Sequence, residues 1–557
     1  MATPYSLFPS AQELGMATKK EMERSGVVTL SLPILSEEDP LFPEKMRLSN
    51  VRNLSYNFDF PVSSSKSGML KTLDQMVQTA RLLYMHELEL YFAEDDDFGP
   101  FSSRNELESL NSVLNTIHSV LATASGDAIE LLQVLETATI GMIKSLGMEN
   151  KVEMIAMNFN GDAEDSLLKW GESHGVKTKL KVAFFEGAGR GTVASEDLSI
   201  GDVALEVPES LIISEDLVYG SDVFDVLKDL DDITSETMLL LWSMRERYNP
   251  SSKFRIYFET LPEEFNTGLR FAIDALAVLD GTLLFEELTQ AKEHLRQQYD
   301  TLFPALSMKY PDLFKPELYT WEKYLWACEL WYSNSMKVVL TDGKLKTCLI
   351  PIAGLLNHSL CPHILHYGRV DPVTKSLKFP LSRPCEAGEQ CYLSYGSLSG
   401  SHLVTFYGFL PKGDNPYDII PLDFDTSNVE NDSSTLEETS KITHMVRGTW
   451  FSKSDQPYTY DLPSRLLTHL RAVLNCQNAE SPAEISRIDI CENDRMVLET
   501  VLSIFSPMLE GLGNSDDFDR VNASWDLKLA LGYKDLQRRI ISSIVTSCTS
   551  GLEMLEH

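Results

Sequence analysis

Hydrophobic spacing divides this chain into two helical ends and a mixed middle. In 70–92, apolar residues recur at Leu73, Val77, Ala80, Leu83 and Tyr84, steps of three and four that predict one helix with a single buried stripe. It should stop at the charge run Glu94-Asp95-Asp96-Asp97 and at Gly99-Pro100. Leu110, Val113, Leu114, Ile117 and Leu121 mark a second helix over 107–121, and 129–146 fits a third. Before them, the stretch from Met1 to about Ser67 is rich in Ser, Pro and acidic groups without periodicity, and reads as partly disordered. In the middle, a short helix at 165–170 leads to strands over 179–185 and 203–207, with a Gly189–Gly191 turn between them. Residues 239–332 are mostly helical, with a break at Leu261-Pro262-Glu263-Glu264-Phe265. Past Asp423 a polar linker, Ser427-Asn428 to Ser433-Ser434, precedes more amphipathic helices. One carries Leu466, Leu467, Leu470, Val473 and Leu474 on a face, the next Met496, Val497, Val501 and Ile504, and the last spans 531–545. No repeat of fixed period is present.

Composition narrows the class. The 557 residues, 43% of them hydrophobic, suffice for more than one core. A net charge of -34 disfavours direct nucleic-acid binding, which needs a basic footprint. The same charge serves solubility, or attraction of a basic protein tail. Eight cysteines without a Cys-x-x-Cys pair suit a reducing compartment. No apolar stretch is long enough for a bilayer, so no membrane partner is expected. The N-terminus lacks a compact apolar segment, and Glu13, Glu21 and Glu23 come early for an acid-poor transit peptide. These features favour cytosol or nucleus and leave chloroplast open.

Four short segments carry the chemistry. They are Glu186-Gly187-Ala188-Gly189-Arg190-Gly191-Thr192-Val193-Ala194; the apolar run 349–356 followed by Asn357-His358-Ser359; Glu386-Ala387-Gly388-Glu389-Gln390-Cys391-Tyr392-Leu393-Ser394-Tyr395-Gly396; and Tyr407-Gly408-Phe409. Each alone is a common pattern. Gly-x-Gly usually marks a plain turn, His358 could be a core histidine, and a lone tyrosine is more often core than catalytic. In this order they resemble the SET-domain methyltransferases, in the branch typified by the plant Rubisco large-subunit lysine methyltransferase and the animal actin-histidine methyltransferase, with a plant-type member favoured.

The resemblance covers about Asp165 to the C-terminus and implies an α+β fold: a SET β-core with a knot-like C-terminal crossing and a helical insert at about 221–335. It implies domains at 1–160 (the extension), 161–412 (SET) and 413–557 (an all-helical substrate-binding domain that holds the protein substrate). It also implies S-adenosyl-L-methionine as cofactor, bound by Ala188, Gly189, Arg190, Gly191, Asn334, Asn357, His358 and Tyr395. Tyr395 and Tyr407 are the implied catalytic residues, and Met336 and Tyr407 the substrate channel. No metal is implied. A zinc reading of His358, Cys361, His363 and His366 fits no common ligand spacing.

The chemistry agrees with such residues. Methyl transfer is an in-line displacement at a sulfonium carbon, which needs alignment and water exclusion. A lysine amine, with an ordinary pKa of about 10.4, must lose its proton, and an apolar channel favours that loss. Three positions depart from the branch. Asn334 stands where an arginine usually contacts the cofactor carboxylate, Met336 where an aromatic often lines the channel, and Gly354 where an acidic residue is common. The departures keep two alternatives in view: a histidine N-methyltransferase, and a SET-fold binding module without catalysis.

Overall fold

The computed structural model describes residues 26–152, 154–157, 161–228, 233–425, 441–452, 459–475, 487–513 and 519–556. They form two compact bodies.

The first body contains the chain to Leu239, Glu246–Leu261 and Asn334–Tyr395. It begins with strand Val27–Ser31 paired antiparallel to Asn57–Pro61, with helix Phe42–Val51 between them. The expectation of partial disorder up to Ser67 therefore fails from Val27 onward, while residues 1–25 lie outside the described residues. Each strand has five residues, too few for its alternation to stand out. Only their pairing puts Val28, Leu30, Phe58 and Phe60 into one core. That core is completed by helices Lys66–Leu83, Ser103–Leu121 and Asp127–Glu149, through Leu73, Val77, Leu110, Val113, Ile117, Leu132 and Ile143. Ser65 and Ser102 cap the first two helices, their hydroxyls accepting the N–H of Gly68 and Asn105. The single helix expected over 70–92 is two. The chain leaves the first after Leu83 and restarts at Glu87–Phe92, where the Glu89 carboxylate accepts the His86 N–H at 2.9 Å.

The β-core follows helix Asp162–Ser173. Leu180–Phe185 turns back onto Gly189–Ala194, and Val203–Pro208 lies between Lys177–Thr178 and Ser376–Pro380. Ser335–Val339 pairs with Leu345–Leu349. A short parallel pairing sets Asn357 opposite Tyr392 and His358 opposite Leu393.

The second body comprises Leu240–Arg245, Pro262–Ser333 and Gly396–His557. Phe271, Ala275, Leu284 and Leu288 share one core with Val404, Ala530 and Leu531. Across it, the Asp526 carboxylate accepts the Ala272 N–H at 3.0 Å and the Gln537 amide oxygen accepts the Leu283 N–H at 3.1 Å. Most of the expected insert, Pro262–Ser333, thus falls in one compact unit with the C-terminal segment. That segment has the expected helices Ser464–Asn475, Arg487–Gly511 and Trp525–Glu556, packed through Leu466, Leu467, Leu470, Val497, Val501 and Ile541. It also has a feature that an all-helical reading lacks, strand Ile419–Asp425 paired with Lys441–Arg447. Val473, expected on the buried face, is exposed near its helix end. The polar linker lies outside the described residues.

Candidate active site

The glycine motif occupies the Leu180–Phe185/Gly189–Ala194 hairpin. Gly189 has φ +67°, a left-handed conformation that L side chains adopt at a cost, and a Cβ there would meet nothing within 4 Å. Gly191 is glycine for a different reason. A Cβ would lie 2.4 Å from Gln390 Nε2, 2.8 Å from Asn357 Nδ2 and 2.9 Å from the Phe185 ring. Arg190 sits between them with its guanidinium turned to the Glu164 carboxylate, at 3.2 Å, and to the Thr260 carbonyl. Its own carbonyl accepts the Asn357 amide N–H at 2.9 Å. Two motifs 167 positions apart are therefore tied by one hydrogen bond.

His358 and Tyr395 form the second half of the site. The Tyr395 backbone N–H donates to His358 Nδ1 at 3.1 Å, and the two rings stack with centroids 5.2 Å apart. The Tyr395 hydroxyl donates to the Leu356 carbonyl at 2.8 Å. Burial pushes the His358 imidazole down to about 4, so the ring is neutral and its Nδ1 lone pair is available. The sign of its pH dependence follows. An unfolded histidine takes up a proton near pH 6.5, while the folded one resists until about 4. The stability it contributes is present above pH 6.5 and is lost as pH falls through that window. We expect the melting temperature to fall as pH drops from 6.5 toward 4, and affinity for S-adenosylhomocysteine, measured by calorimetry across the same pH series, to hold until the folded ring takes up its proton near 4. A flat melting profile would show that His358 is not a determinant.

The structure also brings together two departures noted in the sequence. A Cβ at Gly354 would lie 3.0 Å from Asn334 Oδ1, so the side chain at 354 and the one at 334 are coupled by space. Met336, buried on strand Ser335–Val339, pairs with Cys348. Tyr407 belongs to the second body, at the end of helix Gly400–Tyr407, and burial pushes its phenol up to about 12. Of the four residues weighed as a zinc cluster, only His363 stands in a group of such ligands among the described residues, and its companions are Cys385 and Cys391.

Sequence reasoning missed Gln390. It is 6% exposed, its amide oxygen accepts the Tyr392 hydroxyl at 2.7 Å, and its Nε2 lies against Gly191 with no hydrogen-bond partner. Its Nε2 fills the space that a Cβ at Gly191 would need, which packs Gln390 directly against the glycine hairpin. Nothing in the residue type or spacing of Gln390 signals this.

Three comparisons place this geometry among known proteins. The family model described as Rubisco LSMT substrate-binding matches residues 36–137, on strand Asn57–Pro61 and the N-terminal helices and away from 413–557. Over 409 residues the chain is 24% identical to the chloroplastic ribulose-1,5-bisphosphate carboxylase/oxygenase large subunit N-methyltransferase of Pisum sativum, covering 69% of this chain and 81% of that one. It is 27% identical to the chloroplastic fructose-bisphosphate aldolase-lysine N-methyltransferase of Arabidopsis thaliana, over 43% of this chain, and 26% identical to the actin-histidine N-methyltransferase of Gallus gallus, over 50%. The chain spans about half the length of these last two, 51% and 50%. Among solved structures, the SET domain of LSMT bound to lysine and AdoHcy superimposes with a TM-score of 0.54 at 22% identity, over 71% of this chain and 92% of that one. LSMT bound to AdoMet superimposes with a TM-score of 0.53 at 21% identity, over 71% and 94%. The fold is that of the SET domain.

Proposed function

We propose that this chain, which carries the SET fold and is similar to the Rubisco large-subunit lysine and actin-histidine methyltransferases, is an S-adenosylmethionine-dependent protein N-methyltransferase acting on lysine of a non-histone protein. Histone lysine is the second substrate class. The observation that carries this reading is the hydrogen bond from Asn357 to the Arg190 carbonyl, which joins the glycine hairpin to the Asn-His segment beside Tyr395. The cofactor supplies an electrophilic methyl group when bound. Ala188, Gly189, Arg190 and Gly191, with Asn334, Asn357, His358 and Tyr395, would hold it, and Gln390 would back the hairpin at Gly191. Tyr395 would orient the accepting nitrogen through its hydroxyl. Met336 would line the substrate channel, whose apolar walls favour the neutral amine, and Tyr407 is the second channel residue that the resemblance implies. Transfer to a purified target, read by labelled cofactor, tests the reading; cofactor binding without transfer to any protein in an extract would favour the non-catalytic module.

Lysine and histidine remain rivals because relatives with both activities match this chain. Tyr407 in Tyr-Gly-Phe favours lysine, since a second tyrosine helps aim a long flexible amine. Tandem mass spectrometry of the labelled product should find methyl-lysine. Methyl on imidazole nitrogen alone reverses the assignment.

The protein substrate would be recognised away from its reacting side chain. The C-terminal helices were the surface expected from sequence, whereas the family match at 36–137 favours the N-terminal helices. Truncation cannot decide between them cleanly, because Ala530 and Leu531 share a core with Ala275 and Leu284. Charged substitutions at exposed apolar positions can. Val51→Glu and Ile129→Glu, 49% and 36% exposed, should raise KM for the protein substrate about fivefold and leave kcat unchanged. The same change on Val521→Glu alone would return recognition to the C-terminal segment. For compartment, chloroplast joins cytosol and nucleus as a candidate, the pea and Arabidopsis relatives being chloroplastic. No helix among the described residues is long and apolar enough to cross a membrane.

A further inference from the structure

His363, Cys385 and Cys391 converge beneath the exposed turn Glu386–Gly388, and the reading above gives them no task. Their ligating atoms all lie within 4.8 Å of one another, and all three side chains are buried. A metal would be the ordinary occupant of such a group, but the imidazole is turned the wrong way for it. Nδ1 of His363 accepts the backbone N–H of Tyr392 at 3.1 Å. A backbone amide can only donate, so Nδ1 keeps its lone pair and the proton of the neutral ring sits on Nε2. A metal-bound imidazole needs the reverse, its second nitrogen being an N–H aimed at an acceptor. Here Nε2–H faces Glu389 Oε1 at 3.3 Å and the two sulfurs.

A donor beside two sulfurs sorts them into unlike partners. The Cys391 thiol, and after it His363, hold the Cys385 thiol down to about 6 against the opposing effect of burial. The contact with Cys385, together with burial, pushes the Cys391 thiol well up. The two thiols are thus unlike, one held down and the other pushed up, and they lie six positions apart in the chain with the exposed residues 386–388 between them. That is the arrangement of an attacking and a resolving cysteine.

We propose that Cys385 and Cys391 are a redox modification site that closes to a disulfide when a hydroperoxide oxidises Cys385. The Cys385 sulfur attacks the terminal oxygen of the hydroperoxide, the O–O bond breaks, and a sulfenic acid forms as the alcohol or water departs with a proton. The Cys391 sulfur then attacks the sulfenic sulfur. The S–S bond forms, the S–O bond breaks, and water leaves carrying the Cys391 proton. Two electrons pass from the thiol pair to the peroxide. Both cysteines are buried, 1% and 0% exposed, so an oxidant reaches them only through local opening.

Closure would act on the site through the backbone. The Cys391 N–H donates to the Thr192 carbonyl at 2.8 Å and the Thr192 hydroxyl to the Cys391 carbonyl at 3.3 Å, so Cys391 is fastened to the glycine hairpin. Its neighbour Tyr392 pairs with Asn357. A bridge that draws Cys391 toward Cys385 pulls on both halves of the site at once. This consequence for the cofactor rests on the methyltransferase reading; the disulfide itself does not.

The test treats the folded full chain with hydrogen peroxide, blocks remaining thiols, and maps peptides by mass spectrometry. We expect a Cys385–Cys391 cross-link that dithiothreitol reverses, and a Kd for S-adenosylhomocysteine weakened by roughly tenfold in the oxidised protein. In Cys391→Ser, Cys385 should be trapped by a sulfenic-acid probe, and in Cys385→Ser no cross-link to Cys391 should form. Thiols that survive peroxide, or that pair elsewhere, would overturn the proposal. So would about one zinc per chain in the purified protein that Cys385→Ser loses, since four-coordinate zinc is the competing occupant. If the cross-link forms and no cofactor binds in either state, the site stands and the methyltransferase reading falls.

Discussion

Tyr395→Phe should lower turnover on the true substrate by about a hundredfold or more, the usual cost of one donor at a reacting centre. Cofactor affinity should change far less. The split arises because the parts of Tyr395 that build the site are not its hydroxyl. The backbone N–H meets His358 and the ring stacks on the imidazole, and phenylalanine keeps both. What is lost is the donor now resting on the Leu356 carbonyl. Leaving that acceptor without its donor should also lower stability by about 1 kcal/mol. Single-turnover kinetics with calorimetry for cofactor affinity separates the two effects. Wild-type turnover in the variant would remove Tyr395 from the chemistry.

Gly191→Ala should be the most damaging single change on the cofactor side. The added methyl group meets Gln390 Nε2 at 2.4 Å and Asn357 Nδ2 at 2.8 Å, and neither distance is tolerable without movement. Overpacking of this kind costs about 1–3 kcal/mol. The movement would also displace the Asn357 amide from the Arg190 carbonyl, so the two motifs would lose the bond that joins them. We expect S-adenosylmethionine affinity to fall by at least about tenfold, with a lower melting temperature in the same preparation. Unchanged affinity would mean that Gln390 and Asn357 can step aside. Gly189→Ala makes a useful contrast, since it adds no clash and strains only the backbone at φ +67°.

The candidate site was legible where its chemistry is local. A glycine hairpin, an Asn-His pair and a tyrosine after Glu-x-Gly-Glu are short patterns, and the structure gathers Gly189–Gly191, Asn357, His358, Tyr395, Asn334 and Met336 into one body. Features that exist only through pairing at a distance were not legible. Val28 and Phe60 are core residues because two five-residue strands meet across 25 intervening positions, and neither strand announces itself alone. Ile419–Asp425 was hidden in the same way, its partner beginning at Lys441. The 70–92 helix was misread because periodicity continues through Glu87–Phe92, whereas the break after Leu83 is made by Glu89 folding back on the His86 N–H. Apolar faces on 271–288 and 530–531 show that a partner is needed without saying which, so their shared core was not legible either. Gln390 and the His363–Cys385–Cys391 group were invisible for that reason too: their meaning lies in what they touch.

The bond from Asn357 to the Arg190 carbonyl also sets a clock on how this protein can be made. At about 5–20 residues per second, a ribosome needs roughly ten to thirty seconds to travel the 167 positions between its two ends. During that interval the glycine hairpin exists with Arg190 bare on one side and Gln390 not yet synthesised. Tyr392, which pairs with Asn357, emerges later still. A nascent chain therefore passes through a long stage in which the hairpin can fold but no site can exist. Slow codons between Arg190 and Tyr395 would lengthen that exposure without altering a single residue of the finished protein.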